Sequence, residues 1–165
     1  MRVALTSVRN RLAYEQELAK LDAELAAGQD AFGIAVVDLN DLKTINDCFG
    51  HKAGDQYIIR AARLICEHFR HSPVFRIGGD EFAVLLEGQD FENRAALHHS
   101  FDQLMDEANQ QRNTLIIAMG LSDYDEEEDH AFHHVFARAD HEMYLRKRQL
   151  KRDAEKRAEQ QEKTV

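Results

Sequence analysis

The chain has 165 residues, 44% of them hydrophobic, and a formal net charge of −9, which fits one domain with enough apolar material for a core. Such an acidic balance excludes a general nucleic-acid or anionic-membrane partner, because attraction to a polyanion needs an excess of Lys and Arg. Cys48 and Cys66 are too few for a disulfide framework, and the chain shows neither a membrane-length apolar run nor a secretory leader, so a reduced, cytoplasmic protein is expected.

From Arg9 to Ala27, Leu12, Leu18, Leu21 and Leu25 recur at helical spacing among charged residues, and Gly28 follows as a stop. Phe32 to Leu39 is a short apolar run ending in a carboxylate, the pattern of a buried strand. A short helical piece spans Asp41 to Phe49, and after the glycines at 50 and 54 a longer helix runs from about Asp55 to Phe69. Pro73 breaks that pattern. Val74 to Ile77 and Phe82 to Leu86 read as strands joined by Gly78-Gly79-Asp80-Glu81, a hairpin whose glycines permit positive φ. A helix over roughly Phe91 to Gln110 and a strand over Thr114 to Leu121 follow. An acidic loop, Ser122 to Asp129, leads into a last helix from about His130, whose end after Gln149 is almost wholly charged, a solvated or fraying extension. This order implies an α+β or α/β sandwich with a sheet covered by helices. Because such folds host many functions, the site must decide.

Asp38 closes a buried strand, and Asp80 and Glu81 stand at a hairpin tip. Taken singly, Asp38 reads as a strand-end cap and Asp80 as a turn acid. Converging, they suit a hard cation, since Mg²⁺ typically takes one or two carboxylates plus substrate phosphates. That arrangement fits phosphoryl or nucleotidyl transfer, in which one ion polarises the α-phosphate and activates the attacking hydroxyl while a second stabilises the leaving pyrophosphate.

The run Asp38-Leu-Asn-Asp-Leu-Lys-Thr-Ile-Asn46-Asp-Cys-Phe-Gly50-His51-Lys-Ala-Gly54-Asp55, followed by Arg76-Ile-Gly78-Gly79-Asp80-Glu81-Phe82, resembles the GGDEF family of diguanylate cyclases. Leu5-Thr6-Ser7-Val8-Arg9-Asn10-Arg11 and Ala139-Asp140-His-Glu-Met-Tyr144-Leu-Arg-Lys147 extend the resemblance up to about Lys151. It implies an α+β fold with a central, mainly antiparallel sheet flanked by helices, the ferredoxin-like core of nucleotidyl cyclases and polymerase palms, and an extended charged C-terminal helix. The catalytic domain would span residues 1–151 and the charged helical tail 152–165. The implied reaction condenses two GTP into cyclic-di-GMP and two pyrophosphates, each 3′-hydroxyl attacking the other nucleotide's α-phosphate across a homodimer. Mg²⁺ or Mn²⁺ would serve it, two ions per GTP site, and an upstream sensor domain would supply the input. The alternative is a GGDEF domain without turnover that acts as a GTP-binding or protein-interaction module.

Residue by residue, the resemblance makes Asp38 and Asp80 the metal-binding acids and the carbonyl of Leu39 a backbone ligand. Glu81 is implied in catalysis with them, near the metal or helping to deprotonate the ribose 3′-hydroxyl. Asn46 and Asp55 match the guanine-reading pair, and a carboxylate suits the N1–H and N2–H₂ donors of that base; Asp55 also reads as an N-cap. Phosphates would meet the backbone N–H groups of Asp41, Leu42 and Lys43 at a helix N-terminus, with the Lys43 ammonium beside them. Lys147 matches a triphosphate-binding lysine, and Lys151 stands where the family has arginine, a weaker positioning group. Both lysines also belong to a basic run with Arg146, Arg148 and Arg152 that reads as solvated surface.

Ser7 and Leu150 replace glycines of the family pattern and Leu42 a phenylalanine; none removes a metal ligand. The Arg-x-x-Asp inhibitory motif is missing, with Phe69 and Ser72 in its place, so product binding at that site is not expected. His98, His99, His130, His133 and His134 read as surface histidines rather than a metal site. Asp125 to Asp129 lacks calcium-loop spacing and reads as a solvated entry to the last helix, where acids suit the dipole.

Overall fold

The computed structural model describes residues 8–28, 32–111 and 115–165. The expectations at Leu5, Thr6, Ser7 and Thr114 lie outside them. In chain order the elements are β1 (Val8–Arg9), α1 (Arg11–Ala26), β2 (Gly33–Leu39), α2 (Leu42–Phe49), α3 (His51–His68), β3 (Val74–Arg76), β4 (Glu81–Leu86), α4 (Gly88–Glu92), α5 (Arg94–Gln110), β5 (Ile117–Asp123) and α6 (Phe132–Glu162). The strands form one sheet in the order β1-β3-β4-β2-β5, with β1 parallel to β3 and the other neighbours antiparallel. The α+β fold with a mainly antiparallel sheet is therefore the observed one.

β2 runs as an unbroken apolar stretch because helices cover both its faces. Ala35, Val37 and Leu39 pack with Tyr57, Ile58, Ala61 and Ile65 of α3 and with Phe101 and Met105 of α5. Ile34 and Val36 point the other way, into a cluster with Tyr14 of α1 and Phe132, Val135, Ala139 and Met143 of α6. Since side chains alternate along a strand, Asp38 shares the face of Ile34 and Val36, toward α6.

Gly120 sets how closely α6 approaches the sheet. A Cβ there would lie 2.0 Å from the Ala139 carbonyl and 2.3 Å from the Met143 nitrogen, so backbone rests on backbone one turn before Lys147. The start of α6 is tied down from another helix. The Phe132 N–H, which has no intrahelical acceptor, donates to Asp22 Oδ1 of α1 at 2.8 Å.

Several local expectations are corrected. In α1, Leu12 is 62% exposed and Tyr14 takes the buried position. α3 begins at His51 rather than near Asp55, because Gly50, at φ 88°, ends α2 and lets the chain re-enter a helix at once. The helix drawn over Phe91–Gln110 is broken at Asn93 into α4 and α5. β5 reaches Asp123, paired with β2 along its whole length from Leu39↔Ile117 to Gly33↔Asp123. Gly78 and Gly79 are not among the positive-φ glycines; Arg76 braces their turn instead, donating to the carbonyls of Gly78 at 3.2 Å and Gly79 at 2.8 Å. The acidic stretch is a folded turn and not a helix entry: Asp129 is 2% exposed and accepts the Asp125 N–H at 2.7 Å and the Arg138 guanidinium. The first turn of α6 carries no acid. The charged end of α6 continues as helix to Glu162. No helix among the described residues is long and apolar enough to cross a membrane.

Candidate functional site

The sheet's central strands end in acids that face one another. Asp38, next to last in β2, is in register with Glu81, the first residue of β4. The Leu39 N–H donates to the Asp80 carbonyl at 2.9 Å, which holds the hairpin tip against the end of β2. On the α6 side, Lys147 Nζ lies 3.1 Å from Asp38 Oδ2. Asp38 Oδ1 is buried with no hydrogen-bond partner.

This corner concentrates negative charge. Burial pushes the Asp38 carboxyl above the ordinary carboxylate range, Lys147 pulls it back, and Asp80 adds to the rise. Glu81 is raised as well, first by burial and then by Asp140, Asp38 and Asp80, with Arg11 opposing. Asp38, Asp80, Glu81 and Asp140 gather around only Lys147 and Arg11, an excess of negative charge that favours a further cation. The orphaned Asp38 oxygen and the hard oxygen donors beside it fit a divalent ion such as Mg²⁺ or Mn²⁺. Among the described residues no three His, Cys, Asp or Glu side chains form a metal cage. An ion held by Asp38, Asp80 and backbone oxygen would thus keep positions open for phosphate.

Asp41 carries the chain from this corner into α2. It has φ 64° and ψ 19° and is the one non-glycine residue at positive φ among those described. That left-handed turn lets α2 begin directly beyond the acids. The first intrahelical bond runs from Ile45 N to the Asp41 carbonyl at 2.9 Å, so the earlier N–H groups, Leu42 and Lys43 among them, have no helical acceptor and present an anion-binding end.

At the junction of α2 and α3, a Cβ on Gly54 would fall 1.7 Å from Asn46 Oδ1. Asn46 therefore leans on the residue preceding Asp55, and the two predicted base-reading side chains belong to one junction. Asp55 lies in the second turn of α3 and is exposed, which overturns its N-cap reading. Lys43 and Lys151 are exposed, Lys151 one turn beyond Lys147. The basic run divides: Arg146 is 9% exposed and pairs with Asp102 at 3.4 Å and Asp106 at 3.0 Å, while Leu150 enters the core.

Two residues near the acids were not singled out from sequence. Asp140 lies two helical turns before Lys147 on α6, a spacing that places both on one face. Arg11 donates to the Ile77 carbonyl at 2.7 Å, and no local pattern foretells that reach. At the positions of the missing inhibitory motif, Phe69 is buried in the core and Ser72 Oγ donates to Asp90 Oδ2 at 2.7 Å. His134 Nδ1 is occupied by the His130 N–H at 3.2 Å.

Comparison with known proteins bears on the family and the fold. The family model described as "Diguanylate cyclase, GGDEF domain" matches residues 4–153. Diguanylate cyclase DgcS of Shewanella oneidensis is 38% identical over 86 residues, 52% of this chain and 29% of that protein. Diguanylate cyclase TpbB of Pseudomonas aeruginosa is 38% identical over 84 residues, 50% of this chain and 19% of that protein. The match thus spans less than a third of the length of either relative. Among solved structures, the GGDEF domain of DgcB from Caulobacter crescentus in complex with c-di-GMP has a TM-score of 0.68 at 26% identity, covering 86% of this chain and 84% of that one. The active GGEEF domain of a diguanylate cyclase from Vibrio cholerae has a TM-score of 0.68 at 25% identity, covering 87% and 92%. On its fold, its acid corner and a family match over nearly its whole length, the chain belongs to the GGDEF family of diguanylate cyclase domains.

Proposed function

We propose that this domain condenses two GTP into cyclic-di-GMP and two pyrophosphates in a homodimer. One observation carries the reading. Asp38 and Glu81 meet in register at the end of the central strands, Asp80 is bonded across to Leu39, and one Asp38 oxygen is left buried without a partner.

Asp38, Asp80 and the Leu39 carbonyl would hold the divalent ions, Mg²⁺ or Mn²⁺ and two per GTP, which when bound polarise the α-phosphate and offset the charge of the leaving pyrophosphate. The N–H groups of Leu42 and Lys43 receive phosphate oxygens at the head of α2. The ammonium groups of Lys43, Lys147 and Lys151 add positive charge along the triphosphate, Lys147 exchanging Asp38 for phosphate. Asn46 and Asp55 read the guanine edge, the carboxylate accepting from N1–H and N2–H₂. Glu81, with its carboxyl raised by burial and its acidic neighbours, accepts the proton of the ribose 3′-hydroxyl.

Each 3′-hydroxyl attacks the α-phosphate held by the other protomer, so one chain is half an active site and association supplies the orientation. Residues 1–151 form the catalytic unit and 152–165 its helical tail. The test is to dimerise the chain artificially, supply GTP and Mg²⁺, and assay cyclic-di-GMP and pyrophosphate. Two moles of pyrophosphate per mole of cyclic-di-GMP are expected. A dimerised protein that binds GTP and releases neither product would mark the domain as a binding module instead.

A further inference from the structure

Beneath the turn between β2 and α2 lies a hydroxyl with no part in this scheme. Tyr57 of α3 is 3% exposed, and its ring packs among Ala35, Val37 and Leu39. Its Oη lies 2.8 Å from the Asn40 carbonyl and 3.2 Å from the Ile116 carbonyl, and the Ile116 N–H approaches the same oxygen at 3.3 Å. The Asn40 N–H in turn donates to the Ile116 carbonyl at 3.0 Å. A phenol has one proton to give, and the shorter contact directs it to Asn40. The result is a closed ring of three hydrogen bonds: Tyr57 to Asn40, Asn40 to Ile116, and Ile116 back to Tyr57. Burial keeps the phenol protonated, its pKa pushed up to about 12.

The ring encloses one residue of the turn. Asn40 is flanked by Leu39, whose carbonyl belongs to the proposed metal set, and by left-handed Asp41, which opens α2. Unfavourable backbone of that kind persists where its surroundings over-determine it, and the bonded Asn40 peptide is such a determinant. A phenylalanine would fill the same apolar space, so the oxygen has a purpose that core packing does not explain.

We propose that Tyr57 is a positioning residue for nucleotide and metal binding: its hydroxyl fixes the Asn40 peptide and thereby aims the Leu39 carbonyl on one side and the N–H groups of Leu42 and Lys43 on the other. The inference rests on the site assignment made above. The test compares Tyr57→Phe with Phe101→Leu, a core change from α5 on the same face of the sheet. On each dimerised protein, Mn²⁺ binding is followed by paramagnetic resonance with a non-hydrolysable GTP analogue present, alongside melting temperature. Tyr57→Phe should weaken binding about tenfold, the scale of one lost hydrogen bond, while Phe101→Leu melts at least as early and binds as wild type. Unchanged binding in Tyr57→Phe, or a loss in Phe101→Leu that tracks its melting, would overturn the role of Tyr57 alone. Wild-type protein that binds neither Mn²⁺ nor the analogue would overturn the site assignment and this role with it.

Discussion

Lys147 and Asp38, brought together from the last helix and the central strand, form an ion pair of 3.1 Å, and the second oxygen of the acid stays buried and unpaired. The lysine side chain is 39% exposed and the aspartate 16%, so the ammonium can leave for solvent or phosphate while the carboxylate cannot. With a divalent cation bound as proposed, lysine and metal would compete for one anion. Lys147→Met should bind Mn²⁺ more tightly than wild type without nucleotide and bind GTP more weakly. Paramagnetic titration of metal and calorimetric titration of nucleotide measure the two halves, and parallel changes in both would contradict the exchange.

Asp38→Asn should abolish turnover and raise the melting temperature. The wild-type carboxyl is raised in the fold, chiefly by burial, so folded protein holds that proton more tightly than unfolded chain. Stability then falls as pH rises from the ordinary carboxylate value through the raised one, and stays lower above it. The amide is neutral throughout, so the gain should be present at neutral pH and vanish in acid. Thermal melts of both proteins across that range decide it.

The buried Asp129 behaves in the opposite sense. Its side chain is fully covered, and the Arg138 guanidinium holds its carboxyl below the usual range against the effect of burial. This contribution is complete above the ordinary carboxylate value and is lost as pH falls through the depressed one. Because Arg138 remains 37% exposed, Asp129→Asn should cost about 2 kcal/mol, less than a fully buried pair. Urea unfolding at neutral pH measures it, and the two proteins should converge in acid.

Gly54→Ala separates recognition from stability. Its methyl group would displace the Asn46 carboxamide, 1.7 Å away, whereas alanine in a helix is favoured over glycine by up to ~1 kcal/mol. The expected outcome is an unchanged or higher melting temperature with a GTP KM raised several-fold. A variant with normal KM would show that Asn46 does not read the base.

No tight product binding is expected beside Phe69 and Ser72, since one is core and the other bonds Asp90. Calorimetric titration with cyclic-di-GMP should give no saturable heat at this place. Tight binding that survives replacement of both Arg70 and Arg76 would contradict that expectation.

The meeting of the acids was legible in the chain because each follows or opens an apolar strand run, and Asp38, Asp80 and Glu81 do stand together at those strand ends. The central strand was legible from its unbroken apolar run. Element ends were read less well where backbone geometry overrides pattern. Gly50 looked like the start of a loop, yet its positive φ joins two helices and carries Asp55 into a helix interior. Nothing in the pattern of α3 marks out Tyr57, since its ring satisfies the core and its oxygen meets residues 17 and 59 positions away. Asp22 and Arg11 reach partners 110 and 66 positions away, which no periodicity reveals.

Where α6 lies on β5, the gap is filled by main chain alone, because Gly120 offers no side chain to lift the helix. A residue without chemistry of its own therefore governs whether an ammonium one turn along α6 can reach its acid. Drift at that glycine would part the ammonium from its acid while every signature motif stayed intact, a change that a reader of motifs would miss.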